Sequence, residues 1–193
     1  MTGALGERVS SSTVMNRLSL LRWQLDTAYS LLATHVRELT DRECLWEPAH
    51  GSWTVRRNAD GHWVADWETA GRFPPRAPTI AWLTWYVGFW WTLVYSHSFG
   101  SGELRREHVH WPGTAAATAT WLHIWRNRWT RALESIDESE LDSFARSRWF
   151  MRGTKPFGFV VAWTTTEVMR SAAEIGYVRS LYRTHLSSLA KGA

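Results

Sequence analysis

The stretch Trp163–Tyr182, WTTTEVMRSAAEIGYVRSLY, decides how the chain is read. Steps of three and four place Trp163, Glu167, Arg170, Glu174, Tyr177 and Leu181 on one helical face. Aromatic and aliphatic residues at both ends of that row mark it as packed, yet its middle is charged. Glu167–Arg170 and Arg170–Glu174 have the spacing of a carboxylate–guanidinium–carboxylate ladder. Ser171, Ala172, Ala173 and Gly176 run beside it and are small enough for another helix to come close. The stretch is read as a bundle helix with charge where an apolar stripe belongs.

Working outward, Pro156 suits the first turn of this last helix, which continues to about Leu186. The third helix, about Thr114 to Ile136, follows the turn-forming WPG and points Leu122, Trp125, Trp129, Ala132, Leu133 and Ile136 inward. The second, about Thr79 to His97, has no formal charge from Ile80 to Ser96 and is apolar on nearly every side. A membrane span needs roughly 17–25 apolar residues. The segment stands alone, its tryptophans crowd the middle and its partners are amphipathic, so it is read as a central core helix. The first helix, about Thr13 to Leu39, aligns Val14, Leu18, Leu21, Leu25, Ala28, Leu32 and Leu39, with Ser11, Ser12 or Thr13 as its cap. The link Thr40–Pro78 is rich in Pro, Gly and polar residues, and TVRR-NADG-HWVAD within it reads as a small β-hairpin. The fold class is all-α: a four-helix bundle whose long first connection can cross the bundle.

Composition bounds the rest. The 193 residues form one domain spanning 13–187, with short tails at 1–12 and 188–193, large enough to bury a core without disulfides. Cys44 is the single cysteine, which fits a reducing compartment, and MTGALGERVSSS lacks a secretory pattern. A cytoplasmic protein is expected. The net charge of +4 comes from scattered arginines, which argues against nucleic acid. Tryptophan is the compositional outlier at 15 residues, suited to packed interfaces and ligand pockets.

LTDRECLWEPAHGSWTVR, TIAWLTWYVGFWWTLVYSHSFG, WPGTAAA and TEVMRSAAEIGYVRSLY, in that order, resemble the DinB/YfiT-like superfamily over about Leu18 to Tyr182. The resemblance implies an up-down-down-up four-helix bundle, often dimeric. It also implies, in many members, a metal held by three histidines, and in some a thiol-dependent transferase or isomerase activity. The family's ligand positions correspond to Tyr86, Thr166 and Arg170, none of which is histidine, and no H-x-x-x-H occurs. An arginine there opposes a divalent cation, so no metal and no cofactor are expected.

Two readings of the charged stripe stand. In one, Glu167, Arg170 and Glu174 form a structural ion-pair ladder. In the other they line the remnant of the family pocket with Tyr86, Trp90, Trp163 and Thr166. Arg170 would then bind an anionic or carbonyl group, and Glu167 or Tyr86 would handle a proton. The candidate catalytic residues are thus Tyr86, Glu167 and Arg170, and the candidate ligand-binding residues Trp90, Trp163, Thr166 and Glu174. Minor candidates are His50, His62, His97, His108 and His110 as a rebuilt metal site, Cys44 as a nucleophile, and Trp82, Trp85, Trp90 and Trp91 as an aromatic cage. Trp125, Arg126, Arg128, Trp129 and Arg131 are considered as a nucleic-acid surface. The expected function is a metal-independent protein that binds a small molecule in the bundle or acts as a non-catalytic homodimer. The alternative is an enzyme with a repurposed pocket.

Overall fold

Polar caps start three of the four long helices. In the computed structural model, which describes residues 16–67 and 76–191, α1 (Arg17–Val36) begins where Asn16 Oδ1 accepts from Ser19 N at 2.7 Å. A short α2 (Asp41–Leu45) is capped by Thr40. Strands β1 (Val55–Arg57) and β2 (Trp63–Ala65) pair antiparallel. Thr79 and Thr114 cap α3 (Ile80–Phe99) and α4 (Ala115–Glu134) with their hydroxyls. The last helix, α5, runs Phe157–Lys191. Asn16 replaces the expected Ser or Thr cap of the first helix; Val14 and the expected caps lie outside the described residues. Helix α5 continues to Lys191, past its expected end near Leu186, because no Gly or Pro interrupts the chain between Tyr182 and Gly192.

Contacts along the helices give their directions. Arg22 meets Glu134 while Asp26 meets Arg126, so α1 and α4 are antiparallel. Phe99 touches Phe157 while Trp90 touches Trp163, so α3 and α5 are antiparallel too. Gly88 lies against Trp121 and Phe99 against Trp129, which makes α3 and α4 parallel. The order is up-down-down-up. Two consecutive parallel helices require a return strand, and residues 100–114 supply it. His97 Nε2 lies 3.2 Å from Leu104 O, Trp85 Nε1 donates to Val109 O, and Trp111 Nε1 donates to Thr84 Oγ1. The crossing thus follows the second long helix rather than the first. The link after α1 stays at one end and folds back as the expected hairpin, its turn held by Asn58 Oδ1 and by Gly61 at φ 82°.

The core is a tryptophan-rich seam. Trp82 and Trp85 are buried and pack ring on ring with Tyr86 and Phe89, and the buried Trp91 packs on Tyr29 of α1, so they are core rather than a cage. Trp129 closes the seam against Phe99 and Phe157. Trp125 carries Arg128 over its ring, and Arg126 pairs with Asp26. Among the described residues no helix is long and apolar enough to cross a membrane.

Candidate functional site

The buried stripe of α5 is Val161, Thr164, Val168, Ser171, Ala172, Ile175 and Val178, not the row that carries the charges. Thr164 and Thr165 hide their hydroxyls by donating to Val160 O and Val161 O, which lets polar residues occupy core positions. The charged row lies one residue over, at the helix edge. Trp163 and Glu167 are half-buried, whereas Tyr177 and Leu181 at its far end are exposed. The packed-face expectation is corrected accordingly. The small residues do admit a neighbour: a Cβ on Gly176 would lie 2.7 Å from the His35 ring of α1.

The ladder forms as the spacing predicts and reaches across to α3. Arg170 Nη2 donates to Glu167 Oε2 at 2.7 Å and Nη1 to Glu174 Oε1 at 2.8 Å. Tyr86 Oη donates to the same Glu167 Oε2 at 3.2 Å, and the guanidinium lies over the Tyr86 ring at 5.2 Å. Trp90 stands edge-on to Tyr86 and to Trp163, the latter at 4.6 Å between ring centres. Burial raises the Tyr86 pKa, and the Glu167 charge adds to this while Arg170 opposes it. Burial alone would lower the Arg170 pKa. The Glu167 hydrogen bond and the charges of Glu174 and Glu167 outweigh it and hold the guanidinium more firmly protonated than usual.

Tyr86, Trp90, Trp163, Glu167, Arg170 and Glu174 therefore come together, and Thr166 does not join them. Its hydroxyl donates to Ala162 O and its side chain lines the opposite groove, between α1 and α5. The three positions where histidines would hold a metal present a phenol, a hydroxyl on the other side of the helix and a guanidinium already neutralising two carboxylates. These residues do not fit a divalent cation. Among the described residues no group of three or more His, Cys, Asp or Glu converges as a metal would need.

A groove of about 590 Å³ runs outside the bundle between α1 and α5. Trp23, Gln24, Thr27 and Met169 line it with Thr165, Thr166 and Arg170. Trp23 is 64% exposed, and with the exposed Leu20, Phe159 and Met169 of the same two helices it makes an apolar surface strip. Sequence reasoning missed this groove because it followed the inward stripe of the first helix. Trp23 falls off that stripe, and an aromatic residue among polar neighbours was the available signal. A second missed group is the buried pair Arg179–Glu43, 2.8 Å apart, which joins α5 to α2. Cys44 beside it is buried. Burial and the Asp41 and Glu43 charges push its thiol up to about 12, an unreactive state.

The family model described as the DinB superfamily matches residues 24–175. No curated protein and no solved structure matches the chain.

Proposed function

The chain belongs to the DinB superfamily, and on that footing we propose that it is a metal-independent, non-catalytic member that works as a homodimer through the α1/α5 face. The observation that carries this reading is Trp23, a largely exposed indole on the wall of the α1/α5 groove. A projecting ring and a concave seam on one face are what an isologous two-fold contact needs, since each copy offers knob and hole together. Leu20, Phe159 and Met169 extend the apolar strip along the two parallel helices. Arg17 with Asp142 and Arg22 with Glu134 place both signs of charge at its edge, which suits a self-complementary contact. The ladder supports the non-catalytic half of the reading, because the hydrogen-bonding edges of Arg170 and the hydroxyl proton of Tyr86 are already engaged with carboxylates.

Light scattering on the purified protein tests it. A dimer is expected, and Trp23→Glu is expected to give a folded monomer with an unchanged helical spectrum. A central aromatic anchor carries about 2 kcal/mol or more at such contacts. A wild-type monomer at all concentrations, or a dimer indifferent to Trp23→Glu and Met169→Glu, counts against the proposal.

A further inference from the structure

The hairpin tip and the loop before α4 meet in an arrangement that the ladder and the α1/α5 groove do not use. Trp111 N donates to Trp63 O at 3.0 Å, and the two indoles pack edge to face at 5.6 Å, so the two segments are joined by backbone as well as side chain. That junction stacks the His62 and His110 imidazoles, centres 4.4 Å apart and only 6° from parallel. Arg57 lies over the Trp63 ring at 5.5 Å. Its neighbour Arg56 is paired with Glu47 and Asp66, whereas Arg57 has no carboxylate partner among the described residues. These groups border a groove of about 330 Å³ that no acidic side chain lines. Gly113 forms part of its wall at φ 93°, and a Cβ there would lie 3.0 Å from the Trp63 indole nitrogen, so the backbone itself closes that side.

The geometry points to an oxyanion site: Arg57, His62 and His110 take the phosphate group of a small molecule. An unpaired guanidinium presents forked donors matched to phosphate oxygens. Two stacked imidazoles are compatible while neutral and repel when both are charged, and a phosphate oxyanion accepting from their N–H edges offsets that penalty. Burial, chiefly, together with the His62 and His108 charges lowers the His110 pKa, so an anion at its N–H stabilises the charged form that this ring otherwise resists. The nearby charges are otherwise engaged. His108 Nδ1 accepts from Arg105 N, Asp60 from the Asn58 amide, and Asp41 from Ala115 N at the start of α4.

Inorganic phosphate, titrated near pH 6 at constant ionic strength and followed by histidine ring NMR signals, tests the site. Saturable shifts of His62 and His110 are expected, with affinity falling at alkaline pH, where phosphate carries its full charge and the imidazoles carry none. Arg57→Gln is expected to weaken binding about tenfold, the loss of one charge-assisted contact. Arg57 and His62 are exposed, so Arg57→Gln and His62→Gln should leave the Trp63–Trp111 contact intact, which ring NOEs report. Tighter binding of phenyl phosphate than of inorganic phosphate would assign a phosphomonoester, and the reverse a free phosphate. Shifts that never saturate, that chloride reproduces, or that survive both variants unchanged overturn the proposal.

Discussion

Arg170 and Arg179 stand on the same helix and both hold carboxylates, but their surroundings differ. Arg170 bonds to Glu167 and Glu174 within α5, and its side chain is 43% exposed. Arg179 leaves its helix: Nε donates to Glu43 of α2 at 2.8 Å, and Nη1 to His35 O and Arg37 O at the end of α1. The side chains of Arg179 and Glu43 are 12% and 7% exposed. One cluster sits on water and can be replaced by it. The other satisfies carbonyls at a helix end and a carboxylate that has little access to solvent. The largest effect should therefore come from the cluster that is silent in the sequence. Arg179→Ala is expected to cost about 3–5 kcal/mol, because it leaves Glu43 charged and buried without a partner. Urea unfolding measures it. Replacing both partners, Arg179→Met with Glu43→Leu, should recover most of the loss. A single-variant cost below about 1 kcal/mol would erase the distinction between the two clusters.

The two regions also separate by pH. Beside Glu43, the Cys44 thiol is raised from 9.0 to about 12, chiefly by burial. A group whose folded pKa lies above its unfolded value stabilises the fold below the unfolded pKa and loses that contribution as pH rises to the folded one. The Cys44 contribution is thus whole below about pH 9 and fades toward pH 12, with a slope of at most about 1.4 kcal/mol per pH unit. Tyr86 is shifted in the same direction at the other cluster, and its loss begins only above its ordinary value of 10.0. Unfolding curves for wild type and Cys44→Ala should diverge from about pH 9, before Tyr86→Phe departs from wild type. If Cys44→Ala leaves the slope between about pH 9 and 10 unchanged, the assignment to Cys44 fails.

What could be read from the sequence was local. The four long helices, the hairpin around Asn58–Gly61 and the Arg170 ladder all depend on residues within a few positions of each other, and all are present, although α1 stops at Val36 and α5 runs on to Lys191. The up-down-down-up order came from resemblance, and the 100–114 return that makes it possible has no periodicity to announce it. The buried face of α5 was misplaced because Thr164, Thr165 and Ser171 look polar in a string. Two of these hydroxyls are bonded to their own helix backbone, so burial costs them little. Glu43 and Arg179 meet only in the fold, and no spacing rule connects them. Trp23 was visible but looked like a surface residue, since exposure of one indole carries meaning only beside its groove.

The smallest effect should come from the ladder that stood out first. Arg170→Ala removes two ion pairs from an accessible helix edge, where water replaces them and salt already weakens them. A stability cost under about 1 kcal/mol is expected, and it should shrink further at 1 M salt, where charges are screened beyond about 3 Å. Glu167 keeps the Tyr86 hydroxyl as a donor, so its half-buried carboxylate is not left bare. The more telling readout is the phenol. Arg170 now opposes the rise in the Tyr86 pKa, so removing it should push the Tyr86 titration higher still, measured as a delayed phenolate absorbance against a Tyr86→Phe baseline. A Tyr86 titration that stays in place after Arg170→Ala would mean that the ladder is confined to α5 and does not couple it to α3. A stability loss matching that of Arg179→Ala would mean that the Arg170 cluster is as deeply engaged as its neighbour, whatever its exposure.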